Sequence, residues 1–183
     1  MRRTLLILLV VTVVPLALWG CGSSDSASLE TYLSQIRQGV ESFVAANNSG
    51  ADAVNPDSTA AESLAGWKAF ADGYRSAYSQ LSAVTPPDGL ANAHNDWTAA
   101  IAAQADSAAQ TATAIERYMD SGSDSDLKAF KDAYNQASAD QRGIIDSMST
   151  WSTELSDQAN DHGLEVPAWM KDLVSQVDYR NSP

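Results

Sequence analysis

The chain has one cysteine, Cys21, and two histidines, His94 and His162. A single thiol excludes a disulfide or a cysteine-based zinc site within one molecule. Neither histidine belongs to a Glu-x-x-His pattern, which excludes the di-iron chemistry that helical bundles build on that motif. Basic residues are scarce, with 11 Lys and Arg against 23 Asp and Glu and a formal net charge of −12. A surface of that sign repels phosphate backbones, so nucleic acid is not an expected partner. Gly-x-Ser-x-Gly and the Gly-rich phosphate loop are both missing, and no residue is assigned a catalytic role. A long apolar run occurs once, from Thr4 to Gly20.

That run follows Met1-Arg2-Arg3, contains Pro15, and has no acidic residue before Asp25. A positive start, an apolar stretch and a small residue before Cys21 have the order of an export signal. The stretch is shorter than the roughly 20 residues that span a bilayer comfortably, so cleavage is expected over permanent anchoring. Leu18-Trp19-Gly20-Cys21 resembles the lipobox of bacterial lipoprotein precursors, with Trp19 standing where a small residue is usual. The resemblance covers this leader alone. It implies that residues 1–20 are removed and that Cys21 carries a diacylglyceryl group, holding the protein on the extracytoplasmic face of a membrane. Whether that membrane is inner or outer is left open. Two or more acyl chains give stable anchoring where one myristoyl chain is marginal.

Loss of the leader removes Arg2 and Arg3 and leaves nine basic against 23 acidic side chains, a net charge of −14. Residues 21–28, rich in Ser and Gly, are expected to form a flexible tether. Residues 29–183 then form one domain, which is long enough for a sizeable core.

Helical periodicity sets the fold class. Leu29, Leu33, Ile36, Val40 and Phe43 recur in steps of four and three. Leu64, Trp67, Ala71, Tyr74, Tyr78 and Leu81 do the same, as do runs from Leu90 to Met119 and from Leu127 to His162. The spacing predicts an all-α, up-and-down four-helix bundle. Thr59-Ala60-Ala61-Glu62 reads as a capping box, and Thr85-Pro86 as the start of the third helix. Gly122 and Gly163 are expected to end the third and fourth. A short amphipathic helix from Trp169 to Val177 should pack through Trp169, Leu173 and Val177. The polar stretch from Asn47 to Ser58 is expected to be a mobile loop.

Polar residues on the seams are the places to look for a site. If the third and fourth helices turn near residue 123, Gln104 and Gln141 fall in one layer and are expected to bond across the core. His94 then lies level with about residue 152, roughly 15 Å from His162 at 1.5 Å per residue, too far to share a metal ion. A metal or cofactor is therefore not expected. His94 with Met148, about one turn apart in level, offers an axial pair for haem or another flat ligand. The bland alternative is a core histidine bonded to a tyrosine hydroxyl or a backbone carbonyl. The segment Thr85 to Trp97 is locally distinctive and has a structural reading only.

The function expected from these features is a non-enzymatic, membrane-anchored helical module that meets an envelope protein. A small-molecule- or haem-binding bundle using His94 is the alternative.

Overall fold

The computed structural model describes residues 23–53, 58–171 and 173. The leader residues 1–20 and Cys21 lie outside the described residues, as do Gly22 and Val177. Four long helices follow in order: α1 (Ser23–Ala53), α2 (Ala60–Leu81), α3 (Ala91–Ser121) and α4 (Asp124–Asp161). A 3-10 turn, Asp88–Leu90, precedes α3, and a short α5 (Ala168–Lys171) follows α4. Among the described residues there is no strand, and the protein is an all-α bundle.

Each consecutive pair of helices packs closely, while α1 and α4 approach one another less closely. Small residues explain the tight α1–α2 contact. A Cβ on Gly39 would sit 2.6 Å from Leu81 Cδ2, and one on Gly73 would sit 2.9 Å from the Ala46 Cβ. Ala105, Ala108 and Ala112 are buried on α3 and present little side chain to its neighbours. Across the wider α1–α4 seam the fully buried Tyr32 and Trp151 meet, and Phe43 of α1 packs its ring edge-on to Tyr74 and Trp97. Burying one such side chain is worth about 1.5–3 kcal/mol. The ion pairs Arg37–Glu41, Lys68–Glu116, Arg75–Asp72 and Lys128–Asp132 are all more than half exposed. Pairs of that kind contribute about 0–1 kcal/mol each, so the core dominates.

The helix ends show where local chemistry acted. Thr59 and Glu62 form the reciprocal capping box, and Ser123 caps α4 by accepting from the Asp126 N–H. Gly122 and Gly163 adopt φ of 61° and 68°, in the left-handed region that glycine enters without penalty.

Several boundaries differ from the sequence expectations. α1 begins at Ser23, so residues 23–28 are helical and not an extended tether. Asp25 in the first turn favours this start by meeting the positive end of the helix dipole. α1 also runs on through Asn47 to Ala53, half of the stretch expected as a loop. Asn47 is a weak helix former, but its side chain accepts hydrogen bonds from Tyr74 and Gln141, which hold it in place. α3 starts at Ala91 with Leu90 as its uncapped boundary residue, not at Thr85. Pro87 holds the residue before it away from the α region, so Pro86 cannot open a helix there. Of the helix expected over Trp169–Val177, the described part is helical as α5; Met170 and Leu173 are buried, and the half-buried Trp169 packs against the core. Tyr78 and Met119, placed on seams by spacing, are 40% and 46% exposed.

Candidate functional site

His94 is held at a junction of all four helices. It sits near the start of α3 at 2% exposure, between Leu90 and Trp97 on the buried stripe. Its Nδ1 lies 2.9 Å from the Tyr32 hydroxyl of α1, and that hydroxyl accepts from the Trp151 indole N–H of α4 at 2.8 Å. The ring also bonds the backbone of Leu81, the last residue of α2. Because the Tyr32 oxygen accepts from Trp151, its own proton is available for Nδ1. Nδ1 is then an acceptor and the imidazole proton resides on Nε2.

Electrostatics favour the same assignment. Burial holds the His94 imidazole below its ordinary value, with the Leu81 backbone acting weakly in the opposite sense. Burial also raises the Tyr32 phenol far above the usual tyrosine range, against a smaller lowering by the Trp151 hydrogen bond. Both groups are neutral at pH 7. Tyr32 lies on the α1 stripe three residues after Leu29 and four before Ile36, so its helical spacing was sufficient to place it in the core.

An open cleft of about 540 Å³ adjoins His94. Tyr78, Val84, Pro86 and Thr98 form much of its wall, and among the described residues no charged side chain lines it. A second cleft, about 520 Å³, lies by Asp25, Asp88, Gly89, Gln158 and His162. A Cβ on Gly89 would sit 2.3 Å from Gln158 Nε2, so glycine here admits the Gln158 side chain against the backbone. The two histidines thus face different clefts. Among the described residues, no three His, Cys, Asp or Glu side chains gather so as to hold a metal ion.

Met148 is fully buried, and Trp97 stacks on Trp151 at 4.4 Å between ring centres. An axial role for His94 through Nδ1 would have to displace Tyr32.

The two glutamines are not partners. Gln141 donates to Asn47 Oδ1 at 2.6 Å and accepts from the Tyr74 hydroxyl at 3.1 Å, joining α4 to α1 and α2. Gln104 is 1% exposed, and its Oε1 has no hydrogen-bond partner among the described residues. The rotation of α4 turns the half-buried Gln141 toward α1 and α2 and away from Gln104. A separate polar contact joins α3 to α4, where Ser107 donates to Asp140, which also accepts from Gln136.

Comparison of the chain with protein-family models, curated proteins and solved structures gives no match. Among the described residues, no helix is long and apolar enough to cross a membrane.

Proposed function

We propose that the protein is a lipid-anchored, extracytoplasmic lipoprotein whose bundle is a non-enzymatic module for meeting another envelope protein. The observation that carries this reading is the position of the lone cysteine. Cys21 ends the only long apolar run, and a 31-residue helix begins two residues later at Ser23. With lipid on Cys21, only Gly22 separates the anchored residue from α1. The start of α1, the 82–90 connection, the end of α4 and α5 then form the end of the bundle nearest the membrane. The turn at Ser121–Asp124 lies at the far end, about 46 Å away by the length of the 31-residue α3.

The non-enzymatic reading is supported by how the buried polar side chains are used. The Tyr32 hydroxyl bonds both His94 and Trp151, and Asn47, Tyr74 and Gln141 form a second group. Both groups tie helices together. Crosslinking in intact cells is the test of the module reading. One dominant protein neighbour is expected, and a spread of abundant, unrelated neighbours contradicts it.

A second reading, small-molecule binding, rests on the uncharged cleft beside His94. Haem serves as its probe. Addition of haem to the purified protein, with a Soret shift lost in His94→Ala, would favour this reading over the first.

A further inference from the structure

We propose that the Tyr32 hydroxyl is a proton-operated latch on the α1–α4 seam, closed while His94 is neutral and released when the ring is protonated from the adjoining cleft.

The geometry of the seam is the first reason. α1 and α2 are joined by close backbone packing at Gly39 and Gly73, and α3 approaches α4 closely. α1 and α4 keep their backbones further apart. Side-chain hydrogen bonds that cross their seam include Trp151 to Tyr32 and Gln141 to Asn47. The first of these shares its acceptor oxygen with the His94 contact. One hydroxyl therefore links α4, α1 and α3.

Proton count is the second reason. In the neutral state each hydrogen in the chain has an acceptor: the Trp151 N–H points to the Tyr32 oxygen, and the Tyr32 proton points to Nδ1. A proton on Nδ1 removes that acceptor. The Tyr32 oxygen then faces two N–H donors, and its own hydrogen has to turn away into apolar packing. A buried donor without an acceptor, next to a buried cation, destabilises the closed arrangement.

The surroundings offer no compensation. From α1 the titratable group facing the ring is Tyr32, which is neutral, and from α4 it is met through Trp151, which carries no charge. From α2 the ring meets the Leu81 backbone and, across the cleft, the uncharged Tyr78. The connection contributes Ser82, Val84, Thr85 and Pro86, again uncharged. Along α3 itself Asn95 and Thr98 line the cleft, while Asp96 is exposed. Glu30 on α1 and Glu154 on α4, near in sequence to the latch residues, are exposed as well. Among the described residues no carboxylate lines the cleft to stabilise an imidazolium. The ring, though 2% exposed, forms part of the wall of the open cleft, which is the side from which a proton reaches it.

The test is the solvent exchange of the Trp151 indole N–H, measured by NMR on the full lipidated chain in detergent micelles. Rates are divided by that of free indole at the same pH. Between about pH 7.5 and about pH 5, a span that brackets the ordinary imidazole value, the wild-type ratio is expected to rise roughly tenfold. His94→Asn keeps an acceptor near the position of Nδ1 and cannot take up the proton, so its ratio should be the same at both pH values. Tyr32→Phe lacks the latch oxygen, so its ratio should be high at both. A wild-type ratio that does not change overturns the proposal. A pH-dependent rise that survives in His94→Asn overturns it too, and if that variant does not fold, a rise surviving in Tyr32→Phe does so in its place.

Discussion

The Trp151 indole N–H donates to the Tyr32 hydroxyl at 2.8 Å, joining α4 to α1 across 119 positions of sequence. Because the same hydroxyl faces His94 Nδ1, removing it affects two partners at once. Tyr32→Phe should lower stability by about 1–3 kcal/mol, the usual cost of leaving a buried donor without its acceptor. Urea unfolding followed by circular dichroism measures it. A loss below about 0.5 kcal/mol would show that the junction does not hold the helices together.

Stability should fall on acidification before the carboxylates titrate. His94 in the folded state binds its proton less readily than an ordinary imidazole of 6.5. The unfolded chain therefore carries more protons just below that value, and the slope of stability with pH is positive there. The contribution is complete above pH 6.5 and is lost as pH falls toward the lower folded value. Glu62 and Asp126, whose carboxyls are lowered by Thr59 and by Ser121 and Ser123 respectively, act only at more acid pH. Chemical denaturation at stepped pH should show a decline between about 6.5 and 5 that is absent in His94→Asn. An equal decline in both chains would assign it elsewhere.

Gln104 and Gln141 should respond in opposite ways to replacement. Gln141→Ala removes a donor to Asn47 Oδ1, which still accepts from Tyr74, and should cost about 0.5–1.5 kcal/mol. Gln104→Met replaces a buried amide whose oxygen lacks a partner by an apolar chain of similar length. It should be neutral or stabilising, within about 1 kcal/mol. Paired melting curves test the contrast, and a larger loss at Gln104 would contradict it.

Gly39 and Gly143 offer a second contrast, on helix interiors. Gly39→Ala places a methyl 2.6 Å from Leu81 Cδ2 and 3.2 Å from the Leu81 backbone nitrogen, tightening the α1–α2 contact. Overpacking of that kind costs about 1–3 kcal/mol. Gly143→Ala meets nothing within 4 Å and should stabilise α4 by about 0.5–1 kcal/mol through backbone entropy. Thermal midpoints that shift in the same direction for both would contradict the packing described.

Periodicity made the fold legible because residues such as Ile36, Trp97 and Ile144 repeat at helical spacing and all are fully buried. The left-handed glycines and the Thr59 capping box were legible for local reasons, each needing only its own neighbours. Residues 23–28 and 47–53 have the composition of a tether and a loop yet are helical, and Asn47 is held in helix by Tyr74 and Gln141 from other helices. Those partners are invisible along the chain. The Gln141 pairing is not legible along the chain for the same reason: spacing gives level and stripe, but the rotation that aims a side chain at one neighbour over another is a tertiary property. His94 could be placed in the core from its stripe, yet its tyrosine, its indole and its helix-end backbone come from three other helices.

The lipid on Cys21 is the central element of the proposed function, and metabolic labelling tests it most directly. Cells expressing wild-type protein or Cys21→Ser are grown with labelled palmitate, separated into membrane and soluble fractions, and probed for size and label. The expected result is a labelled, shortened wild-type protein in the membrane fraction, with Cys21→Ser unlabelled and either unprocessed or released. A Cys21→Ser chain that is processed and retained like wild type would contradict the account.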